Sequence, residues 1–258
     1  MKKYKKIIIE KIFYKIIQQI AITKETTFLG SAYGGWHLID NNLSEGVILS
    51  AGVGEDVSFD VDFINRFGGV VIFIDPTPRA LEHLSSIENS LGNKKTTAYT
   101  EKSGNQPIES YDLTYVKKEN FKIVDKALSN KIGKKVRFYS PPNIDHVSHS
   151  ISNWQNNFKK TGDFITVETT TIEKIIQEFN IDNISLIKLD IEGAENLVLP
   201  ELIKSKIFPK QILVEFDELH NGYIRSYFKA SIIFIKLKLN GYDLVETNKY
   251  PDFLFVRK

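Results

Sequence analysis

From residue 47 onward, short apolar runs rich in β-branched residues alternate with stretches that repeat apolar residues at helical spacing. Strands are predicted over residues 47–50, 70–74, 121–125, 184–189 and 211–216, and helices over residues 57–67, 78–90, 171–179, 194–203 and 224–239. This alternation predicts an α/β fold, a mostly parallel sheet with helices on both faces. Residues 242–245 and 253–256 flank a turn at Pro251 and predict a C-terminal antiparallel pair that closes the sheet.

Two polar segments interrupt this pattern, residues 91–120 and residues 140–162. Long loops in compact domains are usually binding loops or lids. Residues 135–139 predict a short hairpin arm after a turn at residues 130–133. A chain of 258 residues with 42% hydrophobic composition is sufficient for one α/β core. We therefore expect an N-terminal extension over residues 1–46 and a single domain over residues 47–258 that carries both insertions.

The N-terminus predicts an amphipathic helix. Its apolar residues recur at helical spacing opposite a polar face: Ile9, Phe13, Ile16, Ile17 and Ile20 against Lys11, Lys15, Gln18 and Gln19. Glu10, Lys11 and Lys15 interrupt the apolar part, so neither a signal peptide nor a membrane span is predicted. We expect the helix to pack on the domain or on a partner subunit of a homo-oligomer. A basic helix lying on a membrane surface is the alternative.

Charge and cysteine content exclude several classes of protein. The 34 basic and 32 acidic residues leave a net charge of +2, which lacks the basic excess of a dedicated nucleic-acid binder. The absence of cysteine excludes disulfides, thiolate zinc sites and cysteine nucleophiles. We therefore expect a cytoplasmic protein without a nucleic-acid partner.

The first two strand ends predict a nucleoside cofactor. Gly52 and Gly54 lie between a strand and a helix, where the backbone can approach a ligand closely. Asp75 closes the next strand, roughly 20 residues after Gly52, an offset that suits hydrogen bonds to ribose hydroxyls. A dinucleotide fingerprint requires a third glycine where this chain has Val57. S-adenosylmethionine, an adenosine without phosphates, is therefore favoured over NAD, and a NAD-dependent oxidoreductase is the alternative.

Five stretches resemble, in order and spacing, the FkbM family of S-adenosylmethionine-dependent methyltransferases: SAYGGWHLI, ILSAGVGEDVSFD, FIDPTPRA, VDKALSNKIGKKVRFY and LIKLDIEGAE. The resemblance spans residues 31–216. It implies a Rossmann-like class I methyltransferase fold and O-methylation of a sugar or another natural product. Some relatives act on nucleotide-linked sugars, including heptoses, in capsule or other glycan pathways. A methyltransferase-fold binding protein without activity is a further alternative.

The resemblance also implies cofactor contacts. Ser50 stands where this fold usually has an acidic residue, so Glu55 and Asp56 are expected to contact the methionyl amino group. The other expected contacts are Tyr33 and Trp36 at the methionine end, Gly52, Gly54, Asp75 and Pro76 along the first two strand ends, Lys126, Ala127 and Leu128 around the adenine, and Asp190 at the crevice.

Acidic residues and histidines at the remaining strand ends are candidates for catalysis. The proposed roles are catalysis by Asp190, Glu192, Glu215 and His220, a Mg²⁺ or Mn²⁺ site at Asp190, Glu215 and Asp217, and sugar or nucleotide-sugar binding by His146, His149 and Asn153. Glu192 would either contact substrate or cap a helix, and Glu195 would complement the helix dipole. Lys188 is expected to pair with a neighbouring carboxylate. Without a metal, the acids would offset the sulfonium charge and bind sugar hydroxyls.

Overall fold

The computed structural model describes residues 2–41, 43–101, 103–141, 148–159, 161–247 and 250–258, without the side chains of residues 2–7 and 221. The described residues contain six α-helices: Lys2–Ile20 (α1), Ser58–Phe67 (α2), Pro78–Glu88 (α3), Ile172–Phe179 (α4), Glu195–Lys204 (α5) and Ile224–Leu239 (α6). The same residues contain twelve strands: Thr27–Leu29 (β1), Trp36–Leu38 (β2), Val47–Ala51 (β3), Val70–Ile74 (β4), Phe121–Val124 (β5), Ala127–Leu128 (β6), Lys135–Tyr139 (β7), Phe164–Thr170 (β8), Ile184–Leu189 (β9), Gln211–Glu215 (β10), Tyr242–Val245 (β11) and Asp252–Arg257 (β12). The predicted elements are confirmed to within two residues at each end.

The main sheet has seven strands in the order β11-β12-β10-β9-β3-β4-β5. Only β12 runs against its neighbours, β10 and β11, whereas the other pairs are parallel. The predicted mostly parallel sheet with a C-terminal antiparallel pair is therefore confirmed. The strand that follows β3 in the chain, β4, lies on one side of β3 in the sheet, whereas β9 lies on its other side. The strand order therefore reverses at β3. A crevice is expected at the carboxyl ends of β3 and β9, where ligands bind in folds of this kind.

Helices cover both faces of the sheet, as predicted. Successive side chains of a strand point to opposite faces, so Ile48 packs in one core and Leu49 in the other. The core around Leu49 includes buried residues of α1, α4, α5 and α6, and the core around Ile48 includes buried residues of α2 and α3. The apolar strands are thus buried on both sides, which explains their nearly continuous hydrophobic sequences.

The short strands β1, β2, β6 and β8, which lie outside the main sheet, were not predicted. β1 pairs with β2, and β8 joins β6 and β7 in a second small sheet. The predicted hairpin arm over residues 135–139 exists, but its antiparallel partner is β8, beyond the 140–162 insertion. Only three of the seven residues of β8 are buried, and its mixed sequence FITVETT lacks the apolar run that marked the buried strands. The β7–β8 ladder therefore holds the base of the insertion.

Helix α1 packs on the domain through a narrower face than predicted. Phe13 and Ile17 are buried, and the Phe13 ring lies 5.0 Å from that of Tyr227 in α6. The prediction was wrong for Ile16 and Ile20, which are 49% and 50% exposed. The row of side chains that contains Phe13 and Ile17 fills the space against α6, and the adjacent row, which contains Ile16 and Ile20, is exposed to solvent. None of the described helices is both long and apolar enough to cross a membrane.

Candidate active site

A cavity of about 630 Å³ opens at the carboxyl ends of β3, β4, β9 and β10. This volume lies within the range of small-molecule sites, which are roughly 300–1,000 Å³. Its walls come from the strand ends, from the 91–120 and 140–162 insertions, and from the segment that precedes β12. The cavity therefore occupies the crevice at which the strand order reverses.

Gly52 begins the turn from β3 into α2 and lines the cavity. Its φ is +74°, and a Cβ at this position would lie 1.6 Å from the carbonyl oxygen of Asp190. The Asp190 amide donates to the carbonyl of Ala51 at 3.0 Å, which brings the two strand ends together. Glycine is thus required here by the neighbouring strand end. Gly54, with a φ of +53°, also lines the cavity.

Asp75 lines the cavity while it organises two loops. Its Oδ2 accepts hydrogen bonds from the amides of Val53 at 3.1 Å and Gly54 at 3.2 Å. Its Oδ1 accepts from the amide and the hydroxyl of Thr77 at 2.9 and 2.7 Å. These four bonds use the usual acceptor capacity of a carboxylate. A ribose hydroxyl bound at Asp75 would therefore share or replace one of them. Pro76 follows on the same wall.

Glu55 and Asp56 join the first strand end to the 91–120 insertion. Asp56 Oδ2 accepts from the Ser31 hydroxyl at 2.6 Å and from the Gln106 amide group at 3.1 Å. The Glu55 side chain pairs with Arg79 at 2.6 Å. The backbone carbonyl of Glu55 accepts a hydrogen bond from the backbone amide of Gln106 at 3.0 Å. The insertion is thereby docked so that residues 103–105 line the cavity. Sequence reasoning did not identify these lining residues individually.

The two aromatic residues predicted at the methionine end line the cavity. Trp36 is buried and Tyr33 is exposed. Partial burial of this side chain, followed by the charges of nearby acidic residues led by Asp190, raises the pKa of Tyr33. Tyr33 also packs against Gly104, where a Cβ would lie 2.6 Å from its ring. This contact places the 91–120 insertion directly beside Tyr33.

Of the three residues predicted around the adenine, Ala127 and Leu128 line the cavity. Lys126 is not among the lining residues, and its contact with the adenine stays a prediction. The Lys126 ammonium pairs with Glu168 of β8 at 3.1 Å, because β8 is the neighbour of β6 in the small sheet. Ala127 and Leu128 therefore give the cavity an apolar wall at this position.

Five carboxylates meet on one side of the cavity: Asp190, Glu192, Glu215, Asp217 and Asp252. Burial, followed by the charges of Glu215 and Glu192, holds the pKa of Asp190 well above its usual range. Burial and then the charge of Glu192 do the same for Asp217. Asp252 was missed because it arrives on β12, where it lies opposite Glu215 in the antiparallel register. Carboxylates so placed favour a proton or a cation among them.

The predicted metal ligands fall into two overlapping groups. Glu215, Asp217 and His220 form one, Asp190, Glu192 and Asp217 form the other, and within each group one ligand atom per residue lies within 4.8 Å of the rest. The predicted trio of Asp190, Glu215 and Asp217 is therefore not a single group, and Asp217 joins the two. Its Oδ2 is buried and accepts no hydrogen bond from the described residues. A buried oxygen of this kind is a suitable ligand atom.

Glu192 fastens the 140–162 insertion to the strand end. Its Oε2 accepts from Trp154 Nε1 at 3.1 Å and from Gln155 Nε2 at 3.0 Å, and its carbonyl accepts from the Ser150 hydroxyl at 2.6 Å. Glu195 is fully buried, and its Oε1 accepts from the amides of Ile191 and Gly193 at 3.0 and 3.2 Å. Beyond its position in the first helical turn, Glu195 therefore caps the turn that precedes α5.

The residues predicted to bind substrate have different positions. His149 lines the cavity, and its Nε2 lies 3.2 Å from the Ser140 hydroxyl. His146 lies outside the described residues. Asn153 is buried and is not a lining residue, and its side-chain amide donates to the Lys159 carbonyl at 2.6 Å. Its role in substrate binding stays a prediction. His220 lines the cavity, 3.4 Å from Glu215 Oε1, and stacks on the Trp154 ring.

Lys188 is paired with a carboxylate, as predicted. The partner is Asp60 of α2, whose Oδ2 lies 3.8 Å from Lys188 Nζ, and both residues are buried. Lys188 Nζ also donates to the Ser50 hydroxyl at 3.4 Å. Ser50 is therefore part of the buried layer beneath the cavity, and only Lys188 of these three residues lines the cavity itself.

Comparison with known proteins gives one family. Residues 49–244 match the sequence model of a family described as "Methyltransferase FkbM domain". No curated protein matches the chain. Among solved structures, the fibrillarin pre-rRNA processing protein of Methanococcus jannaschii is similar, with 14% identity, 83% of this chain and 68% of that chain covered, and a TM-score of 0.39. A likeness of that size carries no argument about function.

Proposed function

Because the chain belongs to the FkbM methyltransferase family, we propose that it is an S-adenosylmethionine-dependent O-methyltransferase that acts on a sugar hydroxyl. A nucleotide-linked sugar, such as a heptose destined for capsule or another glycan, is the first acceptor to test. The proposal includes a cytoplasmic location, which the cysteine-free sequence supports. Family membership favours methyl transfer over the oxidoreductase alternative.

The observation that carries this proposal is the group of five carboxylates beside the Gly52–Gly54 turn. We call this group the acidic wall: Asp190, Glu192, Glu215, Asp217 and Asp252. S-adenosylmethionine supplies a methyl group on a positively charged sulfur, so transfer breaks an S–C bond, forms an O–C bond and releases the hydroxyl proton. Asp190 at the end of β9 is the proposed proton acceptor, because it lines the crevice and because burial, followed by the charge of Glu215, raises its pKa and so makes its carboxylate a stronger base. His220, which lies beside Glu215, is the second candidate. The remaining contribution of the site is to hold the two reactants in line.

Each wall of the cavity suits one part of the cofactor. Asp75 is proposed for the ribose, and Ala127 and Leu128 are proposed for the adenine. Glu55 and Asp56 are proposed for the methionyl amino group, beside Tyr33 and Trp36 at the methionine end. The backbone at Gly52 and Gly54 leaves room for the cofactor to approach the start of α2. Asp56 is also proposed to position this loop, since it holds Ser31 and Gln106.

The acidic wall also fits a divalent cation. Asp217 supplies a buried oxygen without a hydrogen-bond donor among the described residues, and Asp190 and Glu192 supply two more carboxylates. Hard oxygen ligands suit Mg²⁺, with Mn²⁺ as the second choice, and such an ion would lower the pKa of a sugar hydroxyl. In the alternative without a metal, the same carboxylates offset the sulfonium charge and bind sugar hydroxyls directly.

Ligand-dependent thermal stability tests the cofactor. S-adenosylhomocysteine should raise the melting temperature, because a ligand that binds only the folded state stabilises it. NAD should leave it unchanged, and the reverse result would contradict the proposal. Mass spectrometry of nucleotide sugars after incubation with enzyme and S-adenosylmethionine should then identify the acceptor by the gain of one methyl group.

Chelation tests the metal. If a cation is required, exhaustive chelation should abolish methyl transfer and added Mg²⁺ or Mn²⁺ should restore it. Asp190→Asn should remain inactive in excess metal, whereas the exposed Asp182→Asn should behave as wild type. Full activity after chelation would select the alternative in which the carboxylates act without a metal.

A further inference from the structure

Two helices expose apolar stripes that the fold does not use. On α1 the stripe consists of Ile8, Ile12, Ile16 and Ile20, and on α6 it consists of Ile224, Phe228, Ile232, Ile235 and Leu239. These nine side chains, which we call the α1–α6 surface, are between 37% and 79% exposed. Exposed apolar residues concentrated in this way usually mark a contact site.

The stripes are separate from the faces that hold the helices in place. Residues three or four apart lie on one face of a helix, so each stripe is continuous along its helix. α1 packs inward through Phe13 and Ile17, and α6 packs inward through Tyr227 and Phe234. The ring of Phe13 contacts both of those α6 rings, at 5.0 and 6.0 Å, so the two helices are neighbours. The stripes are therefore additional to the internal packing.

The same helices carry a large share of the positive charge. The sequence of Lys2–Ile20 contains six lysines and one glutamate, and that of Ile224–Leu239 contains one arginine, three lysines and no acidic residue. Two of the α6 lysines, Lys229 and Lys238, pair with Glu218 and Asp243, so the positive charge that remains lies mainly on α1. Because the whole chain has a charge of only +2, the rest of it is acidic on balance. Lys11 and Lys15 are exposed and follow Ile8 and Ile12 by three residues, so they border the stripe on α1.

Charge decides which partner suits this surface. A second copy of the chain that docked by the same two helices would bring two positive surfaces together, which is unfavourable. An anionic bilayer matches both properties, because apolar side chains enter the boundary of the acyl chains while lysines meet the lipid headgroups. We propose that the α1–α6 surface docks the protein on the face of an anionic lipid bilayer, with both helices outside the hydrocarbon core.

Docking through α6 would also bring the cavity near the bilayer. The turn Asp217–Asn221 immediately precedes α6 in the chain, and both Asp217 and His220 line the cavity. Tyr14 of α1 packs on Tyr250, another lining residue, with ring centroids 5.6 Å apart. The docking helices and the cavity rim are thus connected by short segments. Membrane docking does not depend on which acceptor the site uses.

Vesicle co-sedimentation of the full chain tests the proposal. Wild-type protein should bind phosphatidylcholine vesicles that contain phosphatidylglycerol at least about tenfold more tightly than pure phosphatidylcholine vesicles, and high salt should weaken this binding. The combined variant Ile12→Gln, Ile16→Gln, Phe228→Gln and Ile235→Gln should lose about tenfold or more in affinity. The matched control, Tyr115→Gln with Ile132→Gln, alters exposed apolar residues elsewhere and should bind as wild type.

A charge variant keeps the test decisive if the fourfold variant does not fold. Lys11→Gln with Lys15→Gln leaves the apolar stripe intact and should weaken binding to anionic vesicles alone. The absence of wild-type binding to anionic vesicles, or equal binding by wild type and both variants, would overturn the proposal. A wild-type dimer that the fourfold variant converts to a monomer, without any vesicle binding, would show that a second copy covers the surface instead.

Discussion

Asp217 is a residue of the acidic wall whose burial costs stability when its carboxyl group is ionised. It is 3% exposed, and its pKa is raised by burial and then by the charge of Glu192. A carboxyl with a raised pKa stabilises the folded state at pH values below its unfolded pKa, about 3.9, and loses this contribution as the pH rises through its folded pKa. At neutral and alkaline pH, Asp217 therefore destabilises the metal-free protein.

Asp217→Asn is accordingly expected to raise the melting temperature of the metal-free protein at pH 8 while it impairs activity. A gain of 1 kcal/mol corresponds to about 2–4 °C in a protein of this size. The gain should shrink as the pH falls below the folded pKa and should vanish below about 3.9, where Asp217 becomes protonated in both states. Calorimetry across this pH range measures it, with the exposed Asp182→Asn as the control. A lower melting temperature at pH 8 would contradict the assignment.

At Asp75, ligand binding and loop structure depend on one carboxylate. Asp75→Ala removes the acceptor of four hydrogen bonds, so S-adenosylhomocysteine should bind about 1.5–3 kcal/mol more weakly and the melting temperature should also fall. Thr77→Val, which removes one hydroxyl donor to the carboxylate, is the matched control and should affect affinity much less. Unchanged affinity by titration calorimetry would exclude Asp75 from the cofactor site.

Among the elements, the 140–162 insertion has the clearest relation to the site. The β7–β8 ladder holds its base, and Glu192 binds Trp154 and Gln155 near the strand end. His149 of the same insertion lines the cavity, whereas Asp75 and Leu128 line its other walls. We therefore expect the insertion to affect the acceptor more than the cofactor, and its role as a lid stays a prediction.

Trp154→Phe removes the indole donor to Glu192 but retains an aromatic ring that can stack on His220. Because a hydrogen bond to a charged group contributes about 1.5–3 kcal/mol, we expect a loss of roughly tenfold or more in kcat/KM for the acceptor. Affinity for S-adenosylhomocysteine should remain within about twofold of wild type. Steady-state kinetics and calorimetry measure the two quantities. An equal loss in both would indicate that the insertion supports the whole site.

At the scale of the whole molecule, α1 is a part of the folded core as well as an exposed surface. Phe13→Ala removes a buried ring and should destabilise the protein by about 3–5 kcal/mol, which lowers the melting temperature by roughly 6 °C or more. The neighbouring Ile12→Ala alters a side chain that is 55% exposed and should leave the melting temperature nearly unchanged. Similar effects of both changes in thermal unfolding would contradict the packing of α1 described above.

The amino-acid sequence alone determined the order and the type of the main elements. Apolar runs such as residues 184–189 and the helical spacing of residues 224–239 are properties of neighbouring residues, so they predict β9 and α6 without tertiary information. The strand-end positions of Gly52, Asp75 and Asp190 followed from the same pattern, because ligands bind beyond the carboxyl ends of parallel strands. The position of Lys188 also predicted an acidic partner, because a charge in a buried strand requires a neutralising group.

Only the tertiary structure decided which side chains meet. Asp252 reaches the acidic wall because β12 inserts beside β10, and Gln106 reaches Asp56 because the 91–120 insertion folds back onto the first strand end. Lys126 forms an ion pair with Glu168 because β6 and β8 are neighbours in the small sheet. No local sequence pattern predicted that pairing of strands. These contacts join residues that are far apart in the chain, and their geometry depends on the packing of whole elements. Local periodicity records which residues are buried, whereas the identity of their partners is set by the folded chain.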